Sequence, residues 1–321
     1  MLLHACCGDC SLSSDSHDRP YSPFASSAED RRTIDEEIAR DSTPQNSSPS
    51  YRLAFTDLDF LTTRDLRPVR LQLELLKPEV LLQEEGIIST VVVFGSARIH
   101  EPKVAQAALQ QAEKAASANP DDATAKRNLA IAKRLAETSR YYDIARTFAR
   151  LVSEAGSQPS HRRYVVCTGG GPGIMEAANR GADDIGADSV GLSIVLPHEQ
   201  APNSYITPKL SFNFHYFAIR KMHFLIRAEA LACFPGGFGT MDELFEGLTL
   251  IQTHKIQKIP VLLFGEAWWR RVVNFEAMVE EGTISPEDLD IFRFVETAEE
   301  GWKAIEDFYS RHPRPNGWGG G

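Results

Sequence analysis

Residues 230–247, ALACFPGGFGTMDELFEG, decide how the chain folds. Residues 230–234 are wholly apolar and of strand length, as suits a strand of a parallel sheet covered on both faces. Pro235, Gly236, Gly237 and Gly239 then form a turn, and helical periodicity opens at Thr240. A helix start carries unpaired amides and the positive end of the dipole, so it receives anions such as phosphate. Glycine lets the main chain approach such a group without a Cβ in the way. Thr240 is expected to be the N-cap, with Asp242 and Glu243 in the first turn. Both acids complement the dipole; an acid beside an anion site is also a candidate for acid–base chemistry on the bound group.

Outward from this stretch the same unit recurs. Residues 89–94 (STVVVF) read as a strand ending in Gly95-Ser96-Ala97-Arg98. Residues 164–168 run into the glycine turn 169–173 and a helix over 174–185. A third strand, 189–196, ends at Pro197-His198-Glu199-Gln200. Next comes an aromatic helix over 213–227, then the opening strand, a further strand at 259–264, and two C-terminal helices. Strand and helix alternate over 86–310, which predicts an α/β fold: a Rossmann-like, doubly wound parallel sheet. Ligands of such sheets bind beyond the carboxyl ends of the strands. All three glycine turns lie there, which predicts one composite anion site including Gly95, Ser96, Gly170, Gly171, Gly173, Gly236 and Gly237.

Spacing excludes two nucleotide motifs. No glycine precedes the Lys-Ser/Thr pair of a P-loop, and a G-x-G-x-x-G fingerprint counted from Gly169 and Gly171 fails at Ile174. No His, Cys, Asp and Glu pattern has metal spacing, so no metal and no cofactor is expected.

The chain has 321 residues, 42% hydrophobic and 24% charged, with a formal net charge of −10. That balance argues against a broad nucleic-acid surface, and no apolar run approaches the ~20 residues of a membrane helix. The N-terminus lacks the basic and apolar regions of a signal peptide, so a cytoplasmic location is expected. Cys6, Cys7 and Cys10 read as adventitious thiols, and Cys167 and Cys233 as small buried hydrophobes. Residues 1–50, rich in Ser, Pro and Asp, are expected to be disordered. Residues 51–85 read as a helical extension of two short helices split at Pro78. A helical hairpin over 101–140, broken near Asn119-Pro120, fills the first crossover, and residues 311–321 read as a flexible tail. No chemistry is assigned to extension or hairpin.

At GGGPGIMEAANRGA (169–182), Arg220-Lys221 and PGGFGTMDE (235–243), the sequence closely resembles the LOG, or Lonely Guy, family of nucleoside 5′-monophosphate phosphoribohydrolases, often labelled lysine decarboxylases. FHYFAIRK (214–221) ahead of the glycine turn is similar to the longer bacterial group labelled AMP nucleosidase. The resemblance covers residues 86–310. It implies hydrolysis of the N-glycosidic bond of AMP, or of an N6-modified AMP such as a cytokinin riboside monophosphate, to free base and ribose 5-phosphate. It places the catalytic pair on Arg220 and Glu243, and nucleotide contacts on Lys221, Gly237, Phe238, Gly239, Thr240 and Thr249, with Glu199 as a further contact. It also implies a homodimer or higher homo-oligomer. A second reading of the fold is a non-catalytic nucleotide or molybdenum-cofactor carrier; the presence of both Arg220 and Glu243 favours the enzyme. Decarboxylation lacks a pyridoxal-lysine context. Of the aromatic side chains, Phe212, Phe214, Phe217 and Phe224 could stack a base, His215 reads as structural, and Glu176 either partners its helix dipole or reaches the ribose.

Overall fold

The computed structural model describes residues 43–156, 162–196 and 201–313, with Arg32 and Ile34. Cys6, Cys7, Cys10, Glu199 and most of the two segments expected to be loose lie outside them. The chain divides into two compact units, residues 1–66 and 67–321. In the first, Asp57 caps a short helix, Leu58–Leu61, by accepting the amides of Asp59 and Phe60.

The second unit opens with α1 (Arg67–Glu84), a single helix where the sequence predicts two. Pro78 cannot donate to the carbonyl of Glu74, four residues back. His223 Nε2 lies 3.3 Å from that oxygen, so a neighbouring helix replaces the withdrawn donor and α1 continues. Because α1 belongs to this unit, the 51–85 extension divides at Leu66.

A parallel sheet follows, with strands β1 (Thr90–Phe94), β2 (Val165–Thr168), β3 (Ser189–Ile194), β4 (Ser211–Phe214), β5 (Ala228–Cys233), β6 (Val261–Phe264) and β7 (Phe292–Val295) in the order β4-β3-β2-β1-β5-β6-β7. Side chains alternate between two cores. Val91, Val93, Ala230 and Ala232 face one core, packed by α4 (Arg140–Gly156), α5 (Ile174–Asp183) and α10 (Ala298–Arg311). Val92, Phe94, Leu231 and Cys233 face the other, packed by α1, α6 (Phe217–Ile226), α7 (Phe238–Gln252), α8 (Glu266–Val272) and α9 (Phe275–Glu280). Both faces being covered, β1 is buried at every position, as its TVVVF sequence predicts.

Strands β4 and β7 are departures from the sequence reading, which divided the first between a polar connection and the start of the aromatic helix and placed the second among the C-terminal helices. Both are edge strands: β4 alternates exposed and buried positions, whereas in β7 only Val295 is buried, beside the half-buried Phe292 and Phe294 and the exposed Arg293. In β4, Phe212 and Phe214 turn inward while Ser211 and Asn213 face out. The first crossover carries α2 (Pro102–Ala118) and α3 (Ala123–Thr138), capped by Asp122, before α4 returns to the core. The strand order reverses between β1 and β5, and a doubly wound sheet opens a crevice at such a switch.

Candidate functional site

The loops after β1 and β5 meet at this crevice. Ser96 N donates to Pro235 O (3.0 Å) and Phe234 N to Phe94 O (2.9 Å), which locks the two turns together. A Cβ on Gly236 would fall 2.1 Å from Thr240 Oγ1, so only glycine lets the turn close on that threonine. The helix beyond starts earlier than the sequence predicts. Its N-cap is Gly237, which has no side chain to offer, and Thr240 is the buried third residue of α7 rather than the cap. No side chain bonds the first amides, which leaves them as donors at the positive end of the helix.

Glu243 follows on the same helix. Its residue exposure is 9%, and no hydrogen bond from the described residues reaches its carboxylate. Burial pushes its pKa up to about 7, opposed by Lys221 and Arg220 and assisted by Glu246 and Asp242. A carboxyl group poised near neutrality can take a proton in that pH range. Arg220, on α6, donates Nε–H to Leu192 O (2.7 Å), and its guanidinium lies 4.9 Å from the centroid of the Phe224 ring. Burial pulls its pKa below the ordinary value and the Glu243 charge raises it. With Nε committed to Leu192, the two terminal nitrogens remain as a fork of donors. A Cβ on Gly169 would sit 2.7 Å from Arg220 Nη2, so the middle glycine turn makes room for the arginine.

Gly95, Ser96, Gly236, Gly237, Phe238, Gly239, Thr240, Arg220 and Glu243 line one cleft of about 1340 Å3. The remaining expected residues lie elsewhere. Gly170 and Gly171 present their carbonyls to Asn203 Nδ2 (3.2 and 3.1 Å), and Gly173, at φ 71°, is pressed against Ser96 O. The middle turn therefore buttresses the rim instead of lining it beyond Gly169, and the predicted three-turn anion site reduces to two turns. Lys221 Nζ is held by Asp242 (2.8 Å) and Glu246 (3.0 Å) outside the lining. Thr249 Oγ1 bonds Phe245 O on an exposed face. Glu176 accepts from Tyr142 OH (2.9 Å). Phe212 and Phe214 are buried off the cleft, whereas Phe217 is half-exposed and lines it.

Further lining comes from elements to which the sequence reading assigned no chemistry: Arg134, Leu135 and Thr138 of α3, Arg140 and Tyr141 of α4, and Trp268 and Arg271 of α8. In the Trp268-Trp269 pair the second is fully buried, donating to Phe264 O (3.1 Å), and the first faces the cleft. With Arg98, after the first turn, the lining holds five arginines against Glu137, Asp242 and Glu243, so in a chain of net charge −10 the cleft carries a small excess of cations. Among the described residues no cluster of three or more His, Cys, Asp or Glu could hold a metal ion, and no helix is long and apolar enough to cross a membrane.

A family model described as "Possible lysine decarboxylase" matches residues 175–305. The cytokinin riboside 5′-monophosphate phosphoribohydrolase LOG1 of Arabidopsis thaliana is 28% identical over 165 residues, 50% of this chain and 76% of that one. A second Arabidopsis phosphoribohydrolase, LOG3, is 28% identical over 153 residues, 47% of this chain and 70% of its own length. The molybdenum cofactor carrier protein of Chlamydomonas reinhardtii matches with a TM-score of 0.37 and 15% identity, over 53% of this chain and 89% of that one.

Proposed function

We propose that this chain, which belongs to the LOG family, hydrolyses the N-glycosidic bond of a nucleoside 5′-monophosphate, AMP or an N6-modified AMP, releasing the free base and ribose 5-phosphate. The observation that carries the proposal is the company Glu243 keeps: a buried carboxyl group with a pKa of about 7, in one cleft with an open helix N-terminus and the Arg220 fork. In this reading the 5′-phosphate sits on the amides at the start of α7, beside Ser96. That placement brings the ribose over Glu243, less than two helical turns further on.

Cleavage breaks the C1′–N bond. The electron pair leaves with the base, which takes up a proton, and positive charge develops on the ribose as in glycoside hydrolysis. Ionised Glu243 stabilises that charge and takes the proton of the water that adds to C1′. Arg220 clamps the substrate through its two free nitrogens. The half-exposed ring of Phe217 and the Trp268 indole offer apolar faces for the base.

The test is release of base from a panel of nucleoside monophosphates by the wild-type protein and by Glu243→Gln. Wild type is expected to turn over at least one adenine nucleotide, and the variant to bind it without turnover. Bound but uncleaved nucleotide with wild type would favour a carrier and overturn the proposal.

A further inference from the structure

We propose that Glu74, on α1, is a positioning residue for Arg220: its carboxylate fixes the backbone from which α6 starts and so sets where the guanidinium lies. The kinetic part of this proposal rests on the function proposed above; the structural part does not.

The entry to α6 has no local cap. Tyr216 occupies the N-cap with no side-chain bond to the first amides. The acceptor comes from far upstream: Glu74 Oε1 accepts His215 N–H at 2.9 Å and Glu74 Oε2 accepts Tyr216 N–H at 3.1 Å. Two consecutive amides on one carboxylate fix both the position and the direction of the chain, and the charge complements the dipole of the helix that follows. Arg220 N–H in turn donates to Tyr216 O at 3.2 Å. One helical turn thus separates the residue Glu74 holds from the arginine in the cleft. From the other side the guanidinium is tied to β3 through Leu192 O (2.7 Å).

The far end of α6 is tied to α1 as well. Glu74 O, left without its helical donor by Pro78, lies 3.3 Å from His223 Nε2, and Arg227 Nη2 pairs with Glu79 at 2.8 Å. Glu74 therefore holds α6 at its start through the side chain and near its end through the main chain. A helix that served only to cover apolar surface would need neither contact. Displacement of a clamping group by an ångström can lower turnover about a hundredfold, so small freedom at this helix start is expected to reach the chemistry.

Glu74→Ala, Glu74→Gln and a control, Arg146→Ala, test this in the full chain. The control removes the Arg146–Asp184 pair between α4 and α5 (2.6 Å), away from α6. In Glu74→Ala, kcat for AMP is expected to fall about tenfold or more with KM changed far less. The amides of His215 and Tyr216 should lose hydrogen-exchange protection, and the NMR signal of Arg220 Nε–H should broaden. Glu74→Gln keeps one acceptor and should fall between Ala and wild type, while Arg146→Ala should lower Tm and leave kcat unchanged. Wild-type kcat and a sharp Arg220 signal in Glu74→Ala would overturn the proposal, whatever its Tm. If Glu74→Ala does not fold, unchanged exchange and kcat in Glu74→Gln would overturn it equally. Should wild type cleave no nucleoside monophosphate, the functional proposal fails by itself, and the exchange and NMR readouts still decide the positioning.

Discussion

Replacing Glu243 by Gln should stabilise the folded protein, and increasingly so as pH rises. The folded-state pKa of about 7 stands above the ordinary 4.5, so the folded protein binds this proton more tightly than the unfolded chain does. A carboxyl group raised in this way costs nothing below the unfolded value. It costs progressively more as pH climbs, until ionisation in the folded state is complete above 7. At about 1.4 kcal/mol per pH unit, the whole difference corresponds to about 3 kcal/mol at pH 8.5, and about 1 kcal/mol has already accrued at pH 5.5. Glutamine has nearly the same shape and cannot ionise. Its own burial contributes equally at both pH values, as do the other titrating groups, so both cancel from the comparison. The advantage of Glu243→Gln over wild type should therefore grow by about 2 kcal/mol between pH 5.5 and 8.5. Denaturant unfolding at the two pH values, followed by tryptophan fluorescence, measures it. In thermal scans the growth is about 4–8 °C for a unit of this size. An advantage that stays constant with pH, or shrinks, would refute the claim that burial strains this carboxylate.

Three other outcomes follow from the geometry. The kcat/KM for AMP should rise along a limb near pH 7, because Glu243 must ionise to accept the proton of water; a flat profile from pH 5.5 to 8 counts against that role. Arg220→Lys loses both the planar fork and the Nε–H bond to Leu192 O, and kcat/KM should drop about a hundredfold; near-wild-type kinetics would remove the clamp from the account. Gly173→Ala places a Cβ 2.5 Å from Ser96 O at a φ of 71°, so stability should fall by about 2–3 kcal/mol in denaturant titration; an unchanged midpoint would contradict the buttress role of the middle turn.

The central strands were legible because they are buried on both faces: VVVF and ALAC are apolar throughout, of strand length and followed closely by Gly or Pro turns. Edge strands β4 and β7 gave weaker signals, since each is short and keeps polar or half-exposed positions. Pro78 misled because its helix-breaking effect is local, whereas the donor that relieves it, His223, lies 149 residues from Glu74. The rim was legible in its two outer turns. The middle turn was overread, because GGGPG looks the same whether its amides face a ligand or its carbonyls are taken by Asn203. The arginines of α3, α4 and α8 were missed since nothing in a helical period distinguishes a cation facing solvent from one lining a cleft; Arg134 is recognised only from the lining it shares with the loops after β1 and β5. Family resemblance singled out Arg220 and Glu243, and the geometry adds the reason each is placed as it is: Gly169 clears space for the one, and burial raises the pKa of the other.

The central claim is that amides at the sheet's rim seat the phosphate and thereby place Glu243 beneath the anomeric carbon. A crystal of Glu243→Gln soaked with AMP measures this directly. The account predicts phosphate oxygens on the amides of Phe238, Gly239 and Thr240, with the side-chain oxygen at position 243 within about 3.5 Å of C1′. Phosphate bound elsewhere, or a side chain at 243 turned away from the ribose, would contradict it.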